Sequence, residues 1–161
     1  MALAIALTGV LLAVAGLAFL SLRSTRPTGI GVRNGALASC PDSPNCVSSS
    51  AASLANQMPP IAFDGDPAVA MQTLRDVIAD MDGANLVSVE DRYIHCEFTS
   101  AVFRFVDDVE FLLDREESVI HFRSASRTGY SDRGLNRRRM THLREKFAQF
   151  STASSVLAGA L

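Results

Sequence analysis

The chain has 161 residues, 15 Lys or Arg against 17 Asp or Glu, a net charge of -2 and 48% apolar residues. That length holds one domain once an apolar N-terminus is set aside, and the absence of a basic balance argues against nonspecific nucleic-acid binding. Three cysteines and three widely spaced histidines offer no zinc-motif spacing, so neither a metal nor another cofactor is expected.

Residues Ala2 to Leu22 contain no charged side chain. Roughly 20 apolar residues at ~1.5 Å rise match a bilayer core, so residues 1–22 predict one N-terminal transmembrane helix, a membrane anchor or signal anchor. A cleaved signal peptide would carry a more basic start than the lone Met1 amine. Arg23 and Arg26 follow the run and by the positive-inside rule would place the domain in the cytoplasm. Cys40 and Cys46 point the other way. They bracket Pro-Asp-Ser-Pro-Asn, a loop that a disulfide could close in an oxidising compartment, two free thiols being the alternative. Leu37-Ala-Ser-Cys40 resembles a lipoprotein attachment box, but the charged stretch 23–35 separates it from the apolar run, so chance explains it better.

Residues 23–38 read as a linker, with Pro27 and three glycines. The domain proper spans 39–150. Cys40 to Pro60 is rich in Ser, Pro and Asn and reads as mostly irregular. Asp66-Pro67 is a helix start, and Met71, Leu74, Ile78 and Met81 keep helical spacing up to Gly83. From Asn85 the period becomes two. Val87 and Val89, then Ile94, Cys96 and Phe98, predict a hairpin, with Cys96 a small buried residue. Strand-like runs at 103–113 and 118–124 follow, joined by Asp114-Arg-Glu-Glu117. Placing Leu113 opposite Ser118 sets Phe111 against Ile120 and Val109 against Phe122. On the other face Glu110 then meets His121, and Asp108 meets Arg123. Asp107 falls on the apolar face, which suggests a bulge or burial against an arginine. A last helix from about Asn136 to Phe150 carries Met140, Leu143, Phe147 and Phe150, with Asp132 or Asn136 as its cap. Residues 151–161 read as a frayed tail. The expected fold is α+β: a four-stranded antiparallel sheet with two flanking helices in two layers, preceded by the transmembrane helix.

Three motifs occur in order: Cys-Pro-Asp-Ser-Pro-Asn-Cys-Val-Ser-Ser at 40–49, Phe-Val-Asp-Asp-Val-Glu-Phe at 105–111, and Arg-Ser-Ala-Ser-Arg-Thr-Gly-Tyr-Ser-Asp-Arg-Gly-Leu-Asn-Arg at 123–137. Together they resemble domain-of-unknown-function family 1499 (DUF1499) over roughly residues 38–148. The resemblance carries no activity, cofactor or catalytic residue. It implies a small domain of bacteria and plastids, often behind a membrane segment or export signal, and so a periplasmic or other cell-envelope placement. Arg133 within the Ser-Asp-x-Gly step and Cys96 depart from the usual pattern.

Charge is unevenly distributed. Residues 123–146 hold eight Lys or Arg and two acids, whereas 34–122 hold four and fifteen. Mutual neutralisation inside the fold is the simplest reading. The leading function is a binding module for an anionic small molecule, lipid headgroup or envelope polymer. Arg123, Arg127 and Arg137 would supply charge, Ser131 and Asp132 shape the loop, and Asn136 starts the helix. Alternatively these arginines pair internally with Asp107, Asp108, Glu110 and Asp132. A hydrolase-like reading would use Asp108 and Glu110 with His121, and Ser126 or Ser131 as nucleophile, but no Gly-x-Ser-x-Gly or His-Glu-x-x-His is present. A third reading is a structural or protein-interaction domain with Gly129, Tyr130 and Leu135 as its recognition loop. His95 and His142 read as ordinary histidines.

Overall fold

The computed structural model describes residues 5–9, 15–16 and 24–158. In chain order the elements are β1 (Cys46–Ser48), β2 (Ile61–Ala62), α1 (Pro67–Ala79), β3 (Ala84–Val89), β4 (Tyr93–Thr99), β5 (Val106–Asp114), β6 (Val119–Ser126) and α2 (Leu135–Ala158). The sheet is antiparallel in the order β1-β6-β5-β4-β3, and β2 also pairs with β6.

Helix α1 starts where its sequence dictates. Asp66 accepts a hydrogen bond from Ala68 N at 2.7 Å, and Pro67 fills the first helical position, where no N–H is needed. Gly83 adopts φ +75, and a Cβ there would lie 2.6 Å from the Thr99 carbonyl oxygen. Only glycine lets the start of β3 run so close to the end of β4.

Both helices cover one face of the sheet. Ile94, Cys96, Phe98, Val109, Phe111, Leu113, Ile120 and Phe122 meet Leu74, Val77, Ile78, Met140, Leu143 and Phe147 in one core. Each large side chain buried there contributes roughly 1.5–3 kcal/mol by removal from water. The opposite face is crossed by the segment 24–40. Gly31 N donates to Glu110 Oε1 at 2.7 Å and Arg26 pairs with Glu97, both acids of that face. The segment is a polar strap over one side of the sheet.

Several expectations are corrected. The sheet has six strands, not four. The two extra strands hold three and two residues, too short to display period-two alternation, and they form because β6 offers them a free edge. The expected transmembrane helix at 2–22 falls mostly outside the described residues. Among the described residues, 5–9 and 15–16 are helical and no helix is long and apolar enough to cross a membrane. Helix α2 continues to Ala158, past the boundary expected at Phe150.

The β5–β6 register is displaced by two residues. Leu113 faces Ile120, Phe111 faces Phe122 and Glu110 faces Arg123. The turn explains the shift. Asp114 Oδ1 accepts the amides of Glu116 and Glu117, and Ser118 takes φ +53, so pairing begins at Asp114–Val119. A two-residue shift preserves which face each side chain occupies but changes every partner. In β3 a bulge between Leu86 and Ser88 breaks the expected alternation, and Val89 is exposed.

Candidate functional site

Alternation in β4 and β5 sends Tyr93, His95, Glu97, Asp108 and Glu110 to the face beneath the strap. Beside them stands Arg123 on β6, and Arg127 lies just past its end. Asp108 is 1% exposed and yet fully engaged. Arg127 donates to it twice, from Nε and Nη2, each at 2.7 Å. His95 Nε2 lies 2.8 Å from the same Oδ1, and an ionised carboxylate can only accept, so the ring nitrogen donates. Arg127 Nη2 also reaches Glu97 at 2.5 Å, and Glu97 accepts from Arg26. Alongside, Glu110 accepts from the Tyr93 hydroxyl at 2.9 Å, from Gly31 N, and more loosely from Arg123 at 3.4 Å. Arg123 Nε is buried with no partner among the described residues.

The electrostatics follow from these contacts. Burial alone would raise the Asp108 carboxyl, but the hydrogen bonds from Arg127 and His95 outweigh it and hold the group below its ordinary value. Glu97 behaves alike, with burial opposed by Arg26 and Arg127. Arg127 is held protonated more firmly than usual by Asp108. Burial, then the neighbouring Glu110, pushes the Tyr93 phenol up.

A second cluster joins the ends of β5, β6 and α2. Arg139 pairs with Asp107 at 2.5 Å, and its guanidinium lies 4.7 Å from the centre of the Phe98 ring. Asp107 therefore meets an arginine on the helix-facing side without a bulge. Asn136 is fully buried. It accepts from Ser124 and Arg139 and donates to Asn45 O and Ser126 Oγ. Asn45 lies in the ring closed by the Cys40–Cys46 disulfide, and its side chain donates to Gly129 O at 2.6 Å. The first and third sequence motifs thus touch directly.

Above this base sits the loop between β6 and α2. Asp132 caps the helix, accepting from Gly134 N and Asn136 N. Ser131 Oγ accepts from Arg133 N. Arg133 has φ +53, an unfavourable backbone for a residue with a Cβ. Tyr130 is 76% exposed. The side chains of Tyr130 and Arg133 have no hydrogen-bond or ion-pair partner among the described residues.

The six residues singled out as a ligand site do not converge on one cavity. Arg127 is consumed by Asp108 and Glu97, and Arg123 is turned to Glu110 at 3.4 Å. Arg137 donates to the carbonyls of Ala55 and Gln57 and fastens the loop before β2. Ser131 and Asp132 shape the turn, and Asn136 is a buried connector. Nor does the acid–histidine triad assemble. His121 faces Leu112 and bonds Ser49 Oγ, away from Asp108 and Glu110, because of the two-residue register shift. His95, read as ordinary, is the histidine that meets Asp108.

Sequence reasoning also missed Glu97, Tyr93, Arg26, Arg139 and Asn45. For the first two a signal existed: Tyr93, His95 and Glu97 alternate with Ile94, Cys96 and Phe98. Donor atoms of His95, Glu97 and Asp108 lie within 4.8 Å of one another, as do those of Asp114, Glu117 and His121. In the first group Arg127 puts a fixed positive charge between the two carboxylates, which opposes a metal cation there.

A family model described as "Protein of unknown function (DUF1499)" matches residues 36–147. No curated protein and no solved structure gave a significant match to the chain.

Proposed function

The chain belongs to the DUF1499 family, and we propose that its domain is a binding module for an anionic partner in an oxidising, extracytoplasmic compartment. The observation that carries this reading is the exposed surface of the loop 127–134 and the first turn of α2. Tyr130, Arg133, Leu135 and Arg138 are exposed there on a base fixed by Asn45, Asp132 and Asn136. A side chain kept at a strained backbone position, and left without a partner, points to use outside the fold. An aromatic ring beside arginines is a composition enriched at binding surfaces. Arg123, Arg127 and Arg137 act as scaffold in this reading rather than as ligand contacts. The Cys40–Cys46 disulfide supports the oxidising compartment.

The test uses the full-length chain with three anionic probes: polyglutamate, polygalacturonate and inorganic phosphate. At least one is expected to bind. The pair Tyr130→Ala and Arg133→Gly should abolish that binding without lowering the melting temperature. Binding that survives both substitutions, or no binding of any probe, would sink the proposal.

A further inference from the structure

A groove of about 610 Å3 lies between α2 and two turns at one end of the sheet. These turns are Asp80 to Gly83, before β3, and Ser100 to Arg104, between β4 and β5. The helical wall is a single stripe, Leu135, Arg139, His142 and Lys146, spaced four, three and four residues apart. At ~1.5 Å rise that wall is ~16 Å long. An extended chain at ~3.3 Å per residue would lay about five residues along it. Phe98 also lines the groove, held beneath Arg139.

Most charges here are matched internally. Arg139 pairs with Asp107 and Lys146 with Asp80. Among the described residues, Arg104 is the exposed cation of the groove left without an acid. It is exposed, and its side chain has no hydrogen-bond or ion-pair partner among the described residues. Its φ is +57, which glycine or asparagine would adopt at lower cost. Arg133 repeats this combination in the neighbouring loop. The two loops share one end of the sheet, because Arg127 N donates to Val106 O. Leu135 lines the groove two residues after Arg133, so the groove and the loop surface are continuous. Within the groove Asp82, exposed and without a partner among the described residues, shares the lining with Arg104; Arg133 and Arg138, the latter bonded to the Arg133 carbonyl, add positive charge from the adjoining loop surface. The exposed apolar side chain of the groove is Leu135, and Phe98 lies buried beneath Arg139.

We infer that this groove takes an extended peptide segment carrying carboxylates and an apolar anchor residue. The inference rests on the anion-binding reading above and extends it to a partner class. A concave channel about five residues long suits a chain rather than a flat bilayer. Leu135, lining the same groove as Arg104, suits alternating apolar and acidic side chains better than a polysaccharide.

The experiment is fluorescence anisotropy with the full-length chain and a labelled hexapeptide alternating Glu and Leu. A Lys–Leu hexapeptide, polygalacturonate and phosphatidylglycerol vesicles serve as comparators. The Glu–Leu peptide is expected to bind and the Lys–Leu peptide not. Arg104→Asn, which tolerates the left-handed backbone, and Leu135→Ala should each weaken binding about tenfold. Three outcomes would overturn the inference. If polygalacturonate or vesicles bind and the peptide does not, the partner class is wrong and the anion reading stands. If Arg133→Gly abolishes peptide binding but Arg104→Asn and Leu135→Ala do not weaken it, the groove is wrong. Failure of every anionic probe removes both readings together.

Discussion

Two arginine-rich regions of this molecule have opposite fates. Beneath the strap, Arg123 and Arg127 lie among Glu97, Asp108 and Glu110, and Arg127 has a side chain only 7% exposed. At the loop end of the sheet, Arg104 and Arg133 point to solvent on strained backbones without internal partners. The same residue type is structural in one place and available in the other. Residue type is therefore no guide to role. What separates the two regions is whether the pleat places a carboxylate within reach.

The largest expected effect breaks the buried side of this contrast. Arg127→Ala leaves Asp108 and Glu97 short of their main counter-charge and should cost ~3–5 kcal/mol in urea unfolding. A loss below ~1 kcal/mol would make Arg127 as dispensable as the surface arginines.

Acid should reach the same network. The folded-state values of Asp108 and Glu97 lie below their unfolded values. Their stabilisation is fully present above about pH 5 and is lost as pH falls through the lowered values. Tyr93 and Cys96 shift the other way: burial raises both, and Glu110 adds to the rise at Tyr93. Their contribution holds below about pH 9 and is lost as pH rises further. Urea melts across pH 3 to 11 should give a plateau with losses on both sides. Arg127→Ala should remove most of the acid limb.

Between the two regions stands the Cys40–Cys46 ring. Replacing both cysteines with serine should cost about 2 kcal/mol for so short a loop. Because Asn45 holds Gly129, it should also weaken binding by the 127–138 surface, measured with whichever anionic probe binds the wild type. Arg26→Ala tests the strap. Its side chain is 50% exposed, so water and salt screen the pair and the loss should stay under ~1 kcal/mol in the same urea melts. The smallest effects belong to the exposed loop. Tyr130→Ala should change stability by less than ~0.5 kcal/mol. Arg133→Gly should stabilise by up to ~1 kcal/mol by relieving the positive φ. A large destabilisation by either would erase the difference between the buried and exposed regions.

The helices, the four longer strands and the pairing of an acidic stretch with a basic one were legible in residue order. So was Asp107 as a residue seeking an arginine, although its partner Arg139 was not. The partner identities were illegible because a hairpin register depends on its turn. The Asp114 side chain and the Ser118 backbone moved every β5–β6 contact by two residues, taking His121 from Glu110 to Leu112 and Arg123 from Asp108 to Glu110. Asp108 is left to Arg127 and, through the separate β4–β5 pairing, to His95. The strap was read as a linker, since Arg26 and Gly31 carry no local signal of the sheet face they cover.

Local chemistry by itself determined the two helices and four longer strands, the Asp66-Pro67 helix start and the face each residue of β4, β5 and β6 occupies, because these depend on neighbours a few residues away. Tertiary structure alone decided which arginines are consumed and which remain free. That outcome depends on distances between groups far apart in the chain, such as Arg123 and Glu110, 13 positions apart, or Arg137 and Ala55, 82 positions apart. Such distances are set by packing and register across the whole sheet, and no periodicity along the chain encodes them.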